Sequence, residues 1–245
     1  MYNWRTKTAD PCNLDVRHAL KHFLLSKRSL FSGRLIDFFT NVCTAKSVLH
    51  LGFVEHSIDH INHASWKHAT IASVARRTVG VDIAEEGVRA ARQLGYECHA
   101  IDITSSASLG ETFEVVIAGD IIEHLLSLDA VYQFSKRHMR QGSSLFISTP
   151  NPSCALWLPE VLLGATYVSN FEHTCWISPS HVNEHACRVD MTFERYYSIL
   201  GGASVGALSR IMKSAVFRVF PELVAGTNVY ELTLSNAHTQ YTSEA

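Results

Sequence analysis

Apolar residues in this chain form short continuous runs that alternate with amphipathic stretches. Residues 115–119 are continuously apolar, and strand-like patterns also occupy residues 47–53, 78–83, 96–103, 145–149, 191–200 and 226–236. Continuous apolar runs of this length are typical of strands that are buried on both faces of a sheet. Segments 66–77 and 84–95 instead have the spacing of helices that bury one face. This alternation predicts a doubly wound, Rossmann-like α/β fold with a mostly parallel sheet of seven strands.

Helical patterns also occur at both ends of this region. Residues 14–25 and 29–43 each place apolar side chains on one side of a helix, which predicts two N-terminal helices. After Pro152 the pattern becomes less regular. It indicates an amphipathic helix at 203–221 and a helix at 179–187 that begins after a serine and a proline, a common N-terminal signal.

The chain has no repeat and no Pro/Gly-rich linker that would divide it. We therefore predict one main domain over residues 46–236, preceded by an N-terminal helical cap over residues 1–45. The last residues, 237–245, are polar and are expected to form a flexible tail.

Acidic residues follow three successive predicted strands. Asp82, Asp102 and Asp120 each stand at or near the C-terminal end of a strand. A helix N-cap would explain any one of them. Three acids at corresponding points of consecutive strand–helix units are better explained by a shared ligand groove, because ligands bind at the carboxyl ends of strands in open parallel sheets.

The loop after the first predicted strand discriminates between two cofactor classes, dinucleotides and S-adenosylmethionine. Both classes suit an acid such as Asp82, which can accept hydrogen bonds from the ribose hydroxyls. A dinucleotide also needs glycines that bring its pyrophosphate close to a helix N-terminus. This loop has the single glycine Gly52, and Glu55 would place a carboxylate near a phosphate. S-adenosylmethionine has no phosphate, so the loop favours S-adenosylmethionine.

Composition narrows the function further. A formal net charge of −2 over 245 residues gives no electrostatic footprint for nucleic acid or an anionic membrane. No apolar run approaches the roughly 18 residues of a membrane span, and the first residues lack the apolar core of a signal peptide. The six cysteines are scattered without metal-site spacing, which predicts reduced thiols in a cytoplasmic protein.

Five segments together resemble the motifs of class I S-adenosylmethionine-dependent methyltransferases. They are Val48–Gly52, Val79–Ile83, Ala100–Ile103, Phe113–Leu125 and Leu145–Asn151. The last segment resembles the subgroup that includes ubiquinone-biosynthesis O-methyltransferases. The first motif departs from the usual acid and three glycines, because His50 replaces the acid while Val54 and His56 replace the later glycines. A branch of bacterial methyltransferase-domain proteins has a similar His-containing first motif.

The resemblance implies that S-adenosylmethionine binds at the ends of the first four strands of the domain. The implied cofactor-binding residues are Leu51, Gly52, Phe53, Asp82, Ile83, Asp102, Ile103 and Gly119. It also implies methyl transfer to a small-molecule acceptor, with O-methylation in natural-product or glycan biosynthesis as the leading expectation. The alternatives are N- or C-methylation and, because the glycine loop is altered, a non-catalytic binding or scaffold protein. The resemblance also allows a homodimer.

Residues 120–124 contain three of the candidate catalytic or metal-binding residues. Asp120, Glu123 and His124 are spaced i, i+3 and i+4, which would place them on one face of a helical turn. His124 and His173 are candidate general bases for an acceptor hydroxyl. Some ubiquinone O-methyltransferases and small-RNA 2′-O-methyltransferases have a similar group with a downstream histidine, which implies Mg²⁺ or a similar cation bound by Asp120, Glu123, His124 and His173. Metal binding, base catalysis without metal and a structural role remain open.

Overall fold

The computed structural model describes residues 1–55, 59, 61, 63, 65–155, 158–166, 170–201 and 215–235. Its strands are β1 (Arg28–Phe31), β2 (Ser47–Leu51), β3 (Arg77–Asp82), β4 (Cys98–Ala100), β5 (Phe113–Gly119), β6 (Met139–Pro150), β7 (Met191–Ile199) and β8 (Thr227–Leu234). They form one sheet in the order β1-β7-β8-β6-β5-β2-β3-β4. Only β8 runs antiparallel to its neighbours among these strands, so the predicted mostly parallel α/β fold is confirmed.

Helices lie on both faces of the sheet. The longer helices are α1 (Leu14–Lys27), α2 (Leu35–Cys43), α3 (Lys67–Val74), α4 (Glu85–Gln93) and α5 (Asp129–Arg137), followed by α6 (Leu158–Leu162) and α7 (Pro179–Arg188). Residues 122–124 form a 3₁₀ turn after β5, and Pro221–Val224 form a short helix before β8. Ser178 caps α7 as its sequence predicts. Among the residues that the structure describes, no helix has both the length and the apolar character to cross a membrane.

The predicted number of strands is wrong by one. β1 adds an eighth strand, parallel to β7, with Arg28 opposite Tyr196 and Phe31 opposite Ile199. The prediction of a single helix over residues 29–43 is therefore wrong in its first part, and α2 begins at Leu35. The backbone of β1 bonds to the open edge of β7, and this long-range pairing overrides the local helical spacing.

Other boundaries differ by a few residues. The third strand of the predicted series covers only Cys98–Ala100, and α3 ends at Val74 rather than at residue 77. The predicted tail at 237–245 and most of the predicted helix at 203–221 lie outside the described residues. All six cysteines are unpaired, which agrees with the predicted thiols.

Two apolar layers hold the helices against the sheet. On one face, Tyr132 and Phe134 of α5 and Val182 of α7 pack against the buried side chains of β2, β3, β5 and β6. On the other face, Phe39 of α2 and Ile71 of α3 pack against the opposite side of β2, β5 and β6. Strands with apolar side chains on both faces leave their carboxyl ends as the place where polar groups converge.

Candidate active site

A cleft of about 540 Å³ opens at the carboxyl ends of β2, β3, β4 and β5. The predicted cofactor residues that line it are Gly52, Asp82, Ile83, Asp102, Ile103 and Gly119, and Asp120 and His124 lie beside them. The structure thus brings together residues from four separate strand–loop units. Their convergence follows from the parallel order of these strands, because each strand ends at the same edge of the sheet.

Two predicted cofactor residues do not line the cleft. The side chains of Leu51 and Phe53 are fully buried beneath it. Phe53 occupies space that exists because its neighbour in β3 is Gly80, where an added Cβ would lie 2.7 Å from the Phe53 ring. Val54 fits against Gly87 of α4 in the same way. The side chains of Leu51 and Phe53 therefore belong to the core, and these residues can offer a ligand only their backbone.

Hydrogen bonds hold the altered glycine loop in place. The indole Nε1–H of Trp66 donates to the carbonyl oxygen of Phe53 at 2.7 Å, and the backbone N–H of Val54 donates to Asp82 Oδ2 at 2.9 Å. Gly52 turns the chain with φ of +69°, a conformation that favours glycine. The loop keeps the glycine that makes the turn, and Val54, which replaces the second glycine of the usual motif, fits in the space left by Gly87.

The histidine that replaces the usual acid of the first motif is buried and contacts a second buried histidine. His50 Nδ1 lies 3.2 Å from His68 Nδ1, and both rings are buried. A single proton shared between these two nitrogens satisfies both. Burial lowers the pKa of His68 to about 4 and holds the pKa of His50 well below its ordinary value. The ring centroids of His68 and Phe53 are 4.7 Å apart, so the neutral histidine pair packs against Phe53 and supports the loop.

The two acids at the ends of β3 and β4 present oxygen acceptors to the cleft. Asp82 Oδ1 accepts a hydrogen bond from the backbone N–H of Ala84 at 3.0 Å, so each Asp82 oxygen already has one donor and retains capacity for another. Asp102 is exposed, and hydrogen bonds from Thr104 lower the pKa of its carboxyl. Between the two acids, the apolar side chain of Ile83 is 70% exposed.

Asp120 is held by residues that sequence reasoning missed. Ser148 donates its hydroxyl to Asp120 Oδ1 at 2.7 Å, and Lys67 Nζ lies 3.2 Å from Asp120 Oδ2. Asp120 has φ of +53°, which is uncommon outside glycine. Lys67 is the first residue of α3, directly after the polar connection from the loop, and that position is the one sequence signal for it.

A second group lies beside the cleft. His173 Nε2 is 4.0 Å from Glu123 Oε1, and the rings of His124 and His173 meet edge to face with centroids 4.9 Å apart. The backbone N–H of Thr174 donates to the carbonyl oxygen of Glu123 at 2.8 Å, which fixes the distant segment against the 3₁₀ turn. Ligand atoms of Glu123, His124 and His173 lie within 4.8 Å of one another, and Asp120 is outside this group.

Glu123 is the most unusual carboxyl in this group. Its side chain is 1% exposed, and neither carboxyl oxygen makes a hydrogen bond of standard geometry among the described residues, although the nearby Thr149 hydroxyl favours the ionised form. Burial raises the pKa of Glu123 to about 7. His124 Nδ1 lies 3.7 Å from Glu172 Oε2, whose side chain is exposed. The arrangement joins a buried carboxyl to two imidazoles at the rim of the cleft.

Solved structures of known proteins share this architecture. A Haloferax volcanii protein solved with a methyltransferase activator has a TM-score of 0.57 at 11% identity, over 96% of this chain and 99% of that chain. Magnesium protoporphyrin IX methyltransferase from Synechocystis, with bound S-adenosylhomocysteine, has a TM-score of 0.53 at 13% identity, over 94% and 92%. A methyltransferase from Clostridium acetobutylicum gives 0.53 at 10%, over 82% and 91%. The chain has the S-adenosylmethionine-dependent methyltransferase fold. The predicted resemblance is confirmed at this level.

A sequence relative agrees with the methyltransferase fold. The ubiquinone biosynthesis O-methyltransferase of Idiomarina loihiensis is 27% identical over 125 residues, which cover 46% of this chain and 51% of that protein. The chain therefore matches about half the length of this curated relative. No family model matches the chain. This methyltransferase fold places its cleft where the sequence predicts a cofactor. The packing of Phe53 on Gly80 and of Val54 on Gly87, and the position of Lys67, became visible only in the structure.

Proposed function

We propose that the protein is an S-adenosylmethionine-dependent methyltransferase that binds its cofactor in the cleft. The observation that carries this proposal is the convergence of the Gly52 turn, the Asp82 carboxylate and the exposed Ile83 side chain at one edge of the sheet. Asp82 would accept hydrogen bonds from the ribose hydroxyls, and Ile83 offers an apolar surface to the adenine ring. Acids surround the cleft, which suits the positive charge of a sulfonium.

The acceptor in this proposal is a hydroxyl of a small molecule, such as a natural product or a glycan. The sequence relative from Idiomarina loihiensis is an O-methyltransferase, which supports an oxygen acceptor. The acceptor oxygen attacks the methyl carbon, the bond from carbon to sulfur breaks, and the sulfonium becomes a neutral thioether. Because the methyl group is already activated, the protein needs to supply alignment and a base.

His124 is the base in this mechanism because it borders the cleft directly. It would take the hydroxyl proton as the new bond from oxygen to carbon forms. His173 packs against His124 and lies next to the carboxyl of Glu123, so it positions the first imidazole. Glu123 would favour a protonated imidazole when it is itself ionised. An amine acceptor would use the same base, whereas a carbon acceptor would need a more strongly basic group.

A divalent cation is the second candidate for the Glu123, His124 and His173 group. The observation in its favour is the buried Glu123 carboxyl, neither oxygen of which makes a hydrogen bond of standard geometry among the described residues. Two imidazoles and one carboxylate suit Zn²⁺ or Fe²⁺ better than the Mg²⁺ suggested by the resemblance, because Mg²⁺ prefers oxygen ligands. A bound cation would lower the pKa of the acceptor hydroxyl. Calorimetric titration with Zn²⁺ tests this: binding that His173→Ala abolishes supports the cation, and equal binding to both proteins excludes it.

Binding calorimetry tests the proposed function. S-adenosylmethionine and S-adenosylhomocysteine should each form a one-to-one complex with the protein, whereas NADH should give no heat and no change in fluorescence. Asp82→Ala should weaken both complexes. The methyltransferase proposal fails if neither S-adenosylhomocysteine nor S-adenosylmethionine binds at about 1 mM. A dissociation constant of that size corresponds to a binding free energy of only about −4 kcal/mol. Binding of both without methyl transfer to any hydroxyl acceptor would favour the non-catalytic alternative.

A further inference from the structure

Lys67 occupies a distinctive electrostatic position in the cleft. Of the described residues that line the cleft, it is the one lysine or arginine, whereas the lining carboxyls are those of Glu55, Asp82, Asp102, Asp120 and Glu172. Burial lowers the pKa of Lys67, but the charges of Asp120 and Glu55 outweigh it, and the pKa is raised overall. A ligand carboxylate that enters this cleft therefore meets its cationic partner at Lys67.

Asp120 is fixed in place beside this lysine. The hydroxyl of Ser148 donates to Asp120 Oδ1 at 2.7 Å, and the same hydroxyl oxygen accepts the backbone N–H of Asp120 at 3.0 Å. These bonds hold the residue at φ of +53°, a conformation that costs an aspartate energy unless its surroundings enforce it. The other carboxyl oxygen, Oδ2, lies 3.2 Å from Lys67 Nζ.

The pair stands at the same end of the cleft as the turn of the altered loop. Gly119 directly precedes Asp120, and the backbone N–H of Lys67 donates to Glu55 Oε1 of the loop at 3.3 Å. Asp82 and Ile83 line the cleft from the neighbouring strand end. Lys67 side-chain atoms are 27% exposed and Asp120 side-chain atoms are 33% exposed, so both can reach a ligand. A cation and an anion at this separation match a group that carries both charges on one carbon.

We propose that Lys67 and Asp120 bind the amino-acid end of S-adenosylmethionine, Lys67 through the α-carboxylate and Asp120 through the α-ammonium. This inference rests on the proposed function. Each partner of the ion pair gains a contact of opposite charge when the zwitterion lies across it. In this arrangement the two side chains provide charged contacts beside a loop that lacks the second and third glycines of the usual motif. The pair also selects against cofactor analogues that lack either charge.

Three thioether ligands separate the contributions of the two charges. S-adenosylhomocysteine carries both charges, its decarboxylated analogue carries the ammonium alone, and 5′-methylthioadenosine carries neither. Binding of each ligand is measured by calorimetry with wild type, Lys67→Met, Lys67→Arg and Asp120→Asn. Lys46→Met is the matched control, because Lys46 pairs with Glu114 at the opposite end of the strands. Asparagine is the chosen replacement because it tolerates the left-handed conformation of Asp120.

We expect Lys67→Met to weaken S-adenosylhomocysteine by about 10- to 100-fold, the range of one charge-assisted hydrogen bond, and to leave the decarboxylated analogue unaffected. Lys67→Arg should restore most of the loss. Asp120→Asn should weaken both ammonium ligands by a similar factor. None of these variants should change the affinity for 5′-methylthioadenosine, which also shows that they are folded.

The inference is overturned if Lys67→Met weakens all three ligands equally or leaves S-adenosylhomocysteine unaffected. It is also overturned if wild type binds S-adenosylhomocysteine no better than its decarboxylated analogue. In either case binding of 5′-methylthioadenosine to wild type would still support the proposed cofactor site. If wild type binds none of the three ligands, the proposed function itself fails, and the inference fails with it.

Discussion

Glu123 has a buried carboxyl whose charge state should control the pH dependence of stability. Burial raises its pKa to about 7 from an ordinary value of 4.5. Between these two pH values the native state retains a proton that the unfolded chain has lost. Because stability falls with rising pH wherever the native state binds more protons, Glu123 destabilises the fold progressively across this window. Below pH 4.5 the cost is absent, and above pH 7 it is complete.

The size of the effect follows from the pKa. One pKa unit corresponds to 1.36 kcal/mol, so a carboxyl with a native pKa of about 7 costs about 3 kcal/mol when fully ionised. Because the side chain is 1% exposed, solvent screening does little to reduce this value. Glu123→Gln keeps the shape and removes the titration. We predict that the free energy of unfolding of Glu123→Gln, relative to that of wild type, rises by about 2 to 3 kcal/mol between pH 5 and pH 8.

Urea unfolding followed by circular dichroism measures this difference, with EDTA present to exclude metal binding. Titrations of residues remote from Glu123 are common to both proteins and cancel in the comparison. Glu172→Gln is the matched control, because it removes an exposed carboxyl close to the same imidazoles. Its effect on stability should be nearly the same at both pH values. An unchanged difference between Glu123→Gln and wild type would refute the reasoning and indicate that Glu123 is ionised and solvated in the native state.

Three further predictions concern the loop and the cofactor cleft. Gly80→Ala should lower the free energy of unfolding by about 1 to 3 kcal/mol and weaken S-adenosylhomocysteine, because its Cβ would press on Phe53; Gly226→Ala, with open space around it, should do neither. Asp82→Ala should weaken the same ligand by at least about tenfold in calorimetry, the effect of one charge-assisted hydrogen bond, and unchanged affinity would remove Asp82 from the ribose role. Ile83→Asp should leave the unfolding midpoint almost unchanged, since Ile83 is exposed, yet reduce ligand affinity; equal affinity would argue against an adenine contact.

Local patterns predicted the part of the fold that holds the cleft. The apolar runs of β2, β3 and β5 specify strands buried on both faces, and the acid Asp82 ends β3 while Asp120 directly follows β5. Parallel strand order then brings their ends together without any further information. β1 could not be predicted in this way, because Arg28–Phe31 becomes a strand by pairing with β7, far away in the chain.

The support of the altered loop depends on which residues face each other across strands. Gly80 lies opposite His50 in the register of β2 and β3, and this register leaves the space that Phe53 fills. A glycine inside an otherwise apolar strand signals close approach of another group, but it does not identify that group. The same limit applies to Lys67, whose distance to Asp120 depends on how the connection before α3 returns to the cleft.

A crystal structure of the protein with S-adenosylhomocysteine shows whether the cleft at the carboxyl ends of the strands is the cofactor site. We predict that the ribose hydroxyls lie within hydrogen-bond distance of Asp82, that the adenine packs on Ile83, and that the sulfur faces the side of the cleft with His124. Ligand bound away from the carboxyl ends of β2, β3 and β5, or bound with its ribose remote from Asp82, would contradict the assignment of this cleft as the methyltransferase cofactor site.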